Sequence, residues 1–210
     1  MTSYSPLGCF IAFEGGEGGG KSTQAKLLGE WLTGDGYDVV QTHEPGATAI
    51  GQLVRKIVLD PSTGVMSHRT EALLYAADKA EHVDSLVLPA LERGAVVITD
   101  RYVDSALAYQ GAGRGLDEEL ERVMRWATAD LRPHVTVLLD LPPAEGMARF
   151  EERDRIEQEG LEFHQKVREM YLRLADQEHY LVVDARSPID EIAAQVRAAV
   201  EPYLAQAKRG

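Results

Sequence analysis

The run GGEGGGKS, from Gly15 to Ser22 and followed by Thr23, is the stretch whose residue types and spacing say most about chemistry. A glycine, four residues, then Gly-Lys-Ser is the pattern of a loop that holds phosphate. Gly15, Gly16, Gly18, Gly19 and Gly20 let the backbone curl until successive amide N–H groups converge on a phosphate. Lys21 is the length to reach terminal phosphates, and the Ser22 hydroxyl suits Mg²⁺. With Thr23 they form an expected site for a nucleoside triphosphate and its metal. Glu17 lies inside the loop, where its charge would repel a triphosphate if it faced inward. Its carboxylate is therefore expected to face a second substrate.

Such a loop works only at a strand-to-helix junction. Phe10 to Phe13 form an apolar run suited to a buried strand, and Gln24 to Leu32 carry apolar residues at helical spacing, so a helix dipole faces the ligand. Similar runs recur: AVVITD at 95 to 100, TVLLDL at 136 to 141, YLVVDA at 180 to 185 and, more weakly, DVVQTHEP at 38 to 45. Non-alternating strands separated by long amphipathic segments predict an α/β fold with a parallel sheet covered by helices on both faces. Helices are expected at about 20–33, 48–59, 68–92, 116–129, 161–178 and 188–206. Ligands of such sheets gather at the carboxyl ends of the strands, which puts Glu44, Asp100 and Asp140 near the working edge. Asp100, closing an apolar strand, suits the acidic element that orders Mg²⁺ beside a phosphate loop.

The bulk properties narrow the partners. The 210 residues suffice for one core, so a single domain over 1–210 is expected. Lys and Arg total 22 against 34 for Asp and Glu, a net charge of −12 that repels nucleic acid. Anionic ligands must meet local arginine and lysine clusters instead. One cysteine, Cys9, excludes an intrachain disulfide and reads as a small buried side chain. No leader-like segment or membrane-length apolar run is present, which predicts a cytoplasmic protein without membrane contact. The chain contains no asparagine, so it lacks both the Asn-Lys-x-Asp guanine element of GTPase switches and the metal-binding Asn of protein kinases.

Five stretches, in order, resemble the thymidylate kinase family: FEGGEGGGKSTQ at 13 to 24, HEPGAT at 43 to 48, LLYAADKAEHV at 73 to 83, DRYVDSALAYQGAGRG at 100 to 115, and DRIEQEGLEFHQKVREMYLRLA at 154 to 175. The resemblance implies a P-loop NTPase-type three-layer sandwich with a five-stranded parallel sheet. It implies Mg²⁺-dependent transfer of phosphate from ATP to thymidine 5′-monophosphate, and a homodimer. It assigns Arg55 and Arg101 to the acceptor's phosphate, where a bidentate guanidinium fits. Tyr75 would lie against thymine, with Lys79 one turn on where the family usually has arginine. Tyr109 would lie against the deoxyribose, Ser105 and Gln110 would offer polar contacts to the base, and Glu17 would meet the sugar 3′-hydroxyl. Arg186, after the last strand, would edge the adenine.

Some members of the family carry an arginine within the phosphate loop, at the place Gly18 occupies here. The charged segment FEERDRIEQEG at 150 to 160 then reads as a lid, over about 149–160, that brings arginine to the transferring phosphoryl group. Arg153 is the first choice and Arg149 the second, with Arg155 holding the lid's own shape. A solvated charged helix is the other reading of that segment. Another nucleoside monophosphate kinase is the nearest alternative function.

Overall fold

The computed structural model describes residues 8–149 and 154–207. Five strands, β1 (Cys9–Glu14), β2 (Val39–His43), β3 (Val96–Asp100), β4 (Val135–Asp140) and β5 (Tyr180–Asp184), form one parallel sheet in the order β2-β3-β1-β4-β5. Every residue of β1 is buried, as expected of a central strand covered on both faces. The weaker apolar pattern of β2 is explained by its edge position, where none of its residues is fully buried.

The helices are α1 (Lys21–Gly34), α2 (Ala49–Leu59), α3 (His68–His82), α4 (Leu88–Glu92), α5 (Val103–Ala106), α6 (Asp117–Ala127), α7 (Pro143–Met147), α8 (Leu161–Leu174) and α9 (Ile189–Val200). On one face of the sheet, Ile11, Phe13 and Val137 pack with Leu28 and Leu32 of α1 and Val196 of α9. On the other, Phe10, Ala12 and Val97 pack with Val83, Val87 and Leu91. This is the three-layer α/β sandwich expected from the sequence. Cys9 lies in the first of these cores, and burial pushes its thiol up to about 12, which leaves it inert near neutrality.

Local chemistry sets the boundaries. Gly20, with φ of +87°, opens α1 in a backbone conformation that side chains disfavour. Thr48 caps α2 by accepting from the Gly51 amide, and Ser67 caps α3 by accepting from Thr70. The long helix read over 68–92 is broken in its middle by a wide turn, Val83–Val87, where the Leu88 amide donates to the Val83 carbonyl. Pro89 explains the break, because it lacks an N–H and its ring crowds the preceding turn. A second wide turn, Leu107–Ala112, follows α5; the short α5 and α7 were not legible in the hydrophobic pattern. Among the described residues no helix is long and apolar enough to cross a membrane.

Candidate active site

The phosphate loop joins the buried β1 to α1 at the carboxyl edge of the sheet. Lys21 is buried and its ammonium donates to the carbonyls of Gly15 (3.1 Å) and Gly16 (2.8 Å). Burial lowers its pKa, and Arg101 acts in the same direction. Ser22 Oγ donates to Asp100 Oδ2 at 2.5 Å, so the first turn of α1 and the end of β3 present two hard oxygens side by side. That pair suits Mg²⁺, which is bound by one or two protein oxygens together with phosphate and water. Around this edge lies a cavity of about 770 Å³ lined by Gly18, Gly20, Lys21, Ser22, Thr23, Asp100 and Arg149.

A second cavity, of about 160 Å³, adjoins the first and is walled by Tyr75 and Lys79 of α3, Ser105 and Ala106 of α5, Tyr109 and Gln110 of the wide turn, and Asp154, Ile156 and Glu157. Glu17, Glu44, Arg55 and Arg101 line both cavities. The junction is thus two arginines and two carboxylates.

Glu17 faces away from the phosphate loop's interior, as expected from its charge. Arg101 Nη2 donates to its Oε1 at 2.5 Å and Tyr109 Oη to the same oxygen at 3.0 Å. Burial alone would push this carboxyl up, but the charges of Arg101 and Lys21 outweigh it and hold Glu17 at about 2. The Arg101 guanidinium also lies 5.2 Å from the centre of the Tyr109 ring. Arg55 donates to the Pro45 carbonyl at 2.8 Å, which aims it across the junction from α2.

Beneath the second cavity, Glu44 is 4% exposed and accepts from Lys79 Nζ and from His82 Nδ1, the latter at 2.6 Å. Its carboxyl is held down against the effect of burial, chiefly by Lys79. Lys79 also donates to the Tyr102 carbonyl at 2.7 Å, so two of the three ammonium donors are engaged by protein. Ser105 Oγ donates to Glu14 at 2.6 Å, and Gln110 Nε2 donates to Glu71 at 2.9 Å. Both side chains line the cavity, with the Ser105 hydroxyl and the Gln110 amide nitrogen engaged by protein.

Three residues that carry this geometry were not singled out by motif. Glu14, at the end of β1, accepts from the amides of Tyr102 and Ser105 and from the hydroxyls of Ser105 and Tyr171, thereby joining β1 to α5 and α8. Glu71, on α3, accepts from Gln110, Arg114 and Arg155 and is held ionised by them against its burial. Arg114 reaches on to Glu159 at 2.7 Å. No spacing rule links these partners, which are 39 to 157 residues apart in sequence.

Of the charged segment, Phe150 to Arg153 lie outside the described residues, Arg153 among them. Residues 154–159 form turns rather than a helix and cover the second cavity. Arg155 donates from Nε to the Val58 carbonyl and from Nη2 to Glu71, and its amide donates to the Leu59 carbonyl. It thereby caps the last turn of α2 and pins the segment to α3. Arg149 is exposed and donates to the Gly18 carbonyl at 2.5 Å, on the phosphate loop itself. Arg186 lies outside both cavities, its guanidinium paired with Asp184 at 2.8 Å. Asp140 is engaged by Arg168 through two bonds of 2.7 and 2.8 Å.

Comparison with known proteins agrees with this architecture. The family model for thymidylate kinase matches residues 13–196. A thymidylate kinase of Cutibacterium acnes is 52% identical over 200 residues, covering 94% of this chain and 98% of its own. One from Clavibacter sepedonicus is 51% identical over 205 residues, covering 94% and 97%, and one from Leifsonia xyli subsp. xyli is 53% identical over 196 residues, covering 90% and 93%. Phosphate loop, paired cavities and near full-length similarity together make this chain a member of the thymidylate kinase family.

Proposed function

We propose that this chain, acting as one kinase domain, transfers the terminal phosphoryl group of ATP to thymidine 5′-monophosphate, giving ADP and thymidine 5′-diphosphate. The observation that carries the reading is the junction at which Glu17, Glu44, Arg55 and Arg101 line two cavities at once, one floored by the phosphate loop and one closed around Tyr75 and Tyr109. A donor and an acceptor held in these cavities would meet at two guanidiniums, where negative charge must be neutralised.

Gly15, Gly16, Gly18, Gly19, Gly20, Lys21, Ser22 and Thr23 hold the ATP phosphates, and Arg186 edges the adenine side. Arg55 and Arg101 hold the acceptor's 5′-phosphate, Tyr75 takes the thymine ring, and Tyr109 with Glu17 takes the sugar. Lys79 offers its remaining donor to the base, with Glu44 fixing the ammonium, while Ser105 and Gln110 shape the pocket edge. Ser22 and Asp100 would hold Mg²⁺, which when bound neutralises phosphate charge. No general base is needed, because the attacking oxygen belongs to an already ionised phosphate. Catalysis is positioning and charge neutralisation, in which Lys21, Arg101 and an arginine of the lid, Arg153 first and Arg149 second, supply the cations.

A homodimer fits the surface: Ile50, Leu53 and Ile57 of α2, Leu73 of α3 and Trp126 of α6 are exposed large apolar side chains, Trp126 at 83%. The reading is tested by a coupled assay over a panel of nucleoside monophosphates with ATP and Mg²⁺. Thymidine monophosphate is expected to give the highest kcat/KM, and Lys21→Ala to lose nearly all turnover while staying folded. Guanylate, uridylate or cytidylate as the better acceptor would replace the reading with another monophosphate kinase.

A further inference from the structure

We propose that a third cavity, behind α5, is a binding site for a small organic anion with an apolar or aromatic body, and that its occupancy alters acceptor binding on the other side of α5. The cavity has a volume of about 340 Å³, within the range of small-molecule sites, and shares no lining residue with the two cavities of the reaction. Its floor is Ala12 and Thr136 of the sheet, and Leu107, Met170 and Leu174 supply an apolar wall.

Arg132 is the cation with capacity to spare. Its neighbour Arg125 is engaged by Asp130 through two bonds of 3.1 Å, whereas among the described residues Arg132 makes a single long ion pair, Nε to Asp130 at 3.7 Å. Arg132 also acts electrostatically on Asp104, His179 and Tyr180, which line the same cavity along with Glu121, Arg125, Asp130 and Gln177. A guanidinium presents five donors, so a carboxylate or phosphate at the mouth has a bidentate partner. Asp104 opposes an anion less than an ordinary carboxylate would: burial and the charge of Glu14 push its carboxyl up to about 7, and Tyr180 donates to it at 2.6 Å.

The link to the acceptor cleft is short and specific. Asp104 lines this cavity while Ser105, the next residue of the same one-turn helix, lines the acceptor cleft. Tyr102 lines this cavity, and its carbonyl holds Lys79 while its amide holds Glu14. A ligand that shifts Tyr102 or α5 therefore moves groups that shape the acceptor site, and coupling requires only that the two positions of α5 differ in affinity for each ligand.

The test uses the full chain labelled with ¹⁵N and saturated with ADP and thymidine monophosphate, so that the reaction cavities are filled. Benzoate is the probe and benzylamine its matched cation. Saturable shifts at Leu131, Thr136 and Tyr180 are expected for benzoate, with Kd on the order of 1 mM for so small a ligand. Arg132→Gln should weaken benzoate about tenfold, the scale of one charge-assisted bond, and Leu174→Trp should block the cavity independently. In a separate titration without ADP, benzoate should change the Kd of thymidine monophosphate about twofold or more in the parent chain and not in Leu174→Trp. Equal binding of benzylamine, shifts confined to the phosphate loop, benzoate affinity unaltered in Arg132→Gln, or an unmoved acceptor Kd would overturn the proposal. The binding arm does not depend on turnover, so its failure is distinguishable from a wrong acceptor assignment.

Discussion

Arg101 concentrates several demands on one residue: its backbone sits at φ of +71°, its guanidinium holds Glu17, and it lines both reaction cavities. A left-handed conformation at a long side chain costs on the order of 1–3 kcal/mol and persists where its surroundings impose it. Here the Arg101 amide donates to Phe13 and its carbonyl accepts from Thr99. The ion pair it makes has a defined pH range. Glu17, held at about 2, is depressed, so its contribution to stability is complete above the unfolded carboxylate pKa and is lost as pH falls through about 2. Arg101→Gln leaves burial unopposed by that charge, and Glu17 should then protonate at higher pH, read by ¹³C NMR of the carboxyl carbons. An unchanged titration would mean that Lys21 and the Tyr109 hydroxyl hold it without Arg101. At Arg149, the bond to Gly18 leads to a kinetic prediction. Arg149→Ala should lower kcat by about 10³ or more if this guanidinium meets the transferring phosphoryl group, with the Kd of thymidine monophosphate nearly unaltered. An unchanged kcat would leave that role to the sequence neighbour Arg153.

At the scale of elements, the acceptor cavity is closed by turns rather than by a helix. The segment 154–159 is fastened at two points, Arg155 to Glu71 and the end of α2, and Glu159 to Arg114. Glu71 is the shared anchor, 1% exposed and facing two arginines. Replacing it with glutamine leaves two guanidiniums near an uncharged partner, a loss on the order of 3–5 kcal/mol for a broken buried pair. Glu71→Gln should therefore lower Tm by several degrees and raise the KM for the acceptor more than that for ATP, since the phosphate loop is not part of this network. Thermal denaturation and two-substrate kinetics check both. Equal effects on the two KM values would show that the fastening serves the whole fold rather than the acceptor cavity.

For the whole molecule, the exposed apolar stripe on α2 is the feature on which the proposed homodimer rests. Ile50, Leu53 and Ile57 recur at helical spacing on the face next to that of the buried Val54 and Val58, and Leu53 is 66% exposed. In a homodimer built on this face, Leu53→Glu would place a charge in an apolar interface. Sedimentation velocity should then give a monomer where the parent chain gives a dimer, with little loss of monomer fold. A parent chain that sediments as a monomer would remove that assignment of the stripe.

How much was legible in the sequence follows from the range of the interactions involved. Local patterns carry the strands, most helices and the phosphate loop, because a buried parallel strand needs an unbroken apolar run and the loop needs glycines at fixed spacing. Charge alone dictated that Glu17 face outward, and a proline made the break after His82 explicable. The sheet order, with β1 between β3 and β4, was decided only by tertiary packing, as was the meeting of Glu17 with Arg101 and Tyr109. Glu14 and Arg114 lie inside recognisable stretches and Glu71 does not, but spacing gave none of the three a role, since a buried charge acquires its role from partners that the fold delivers from distant elements. Lys79 shows the same division: its type and its place one turn after Tyr75 were readable, but its engagement with Glu44 and the Tyr102 carbonyl was not. Residue types at close spacing determine what chemistry is available, and the assembled elements determine which of those groups remain free to do it.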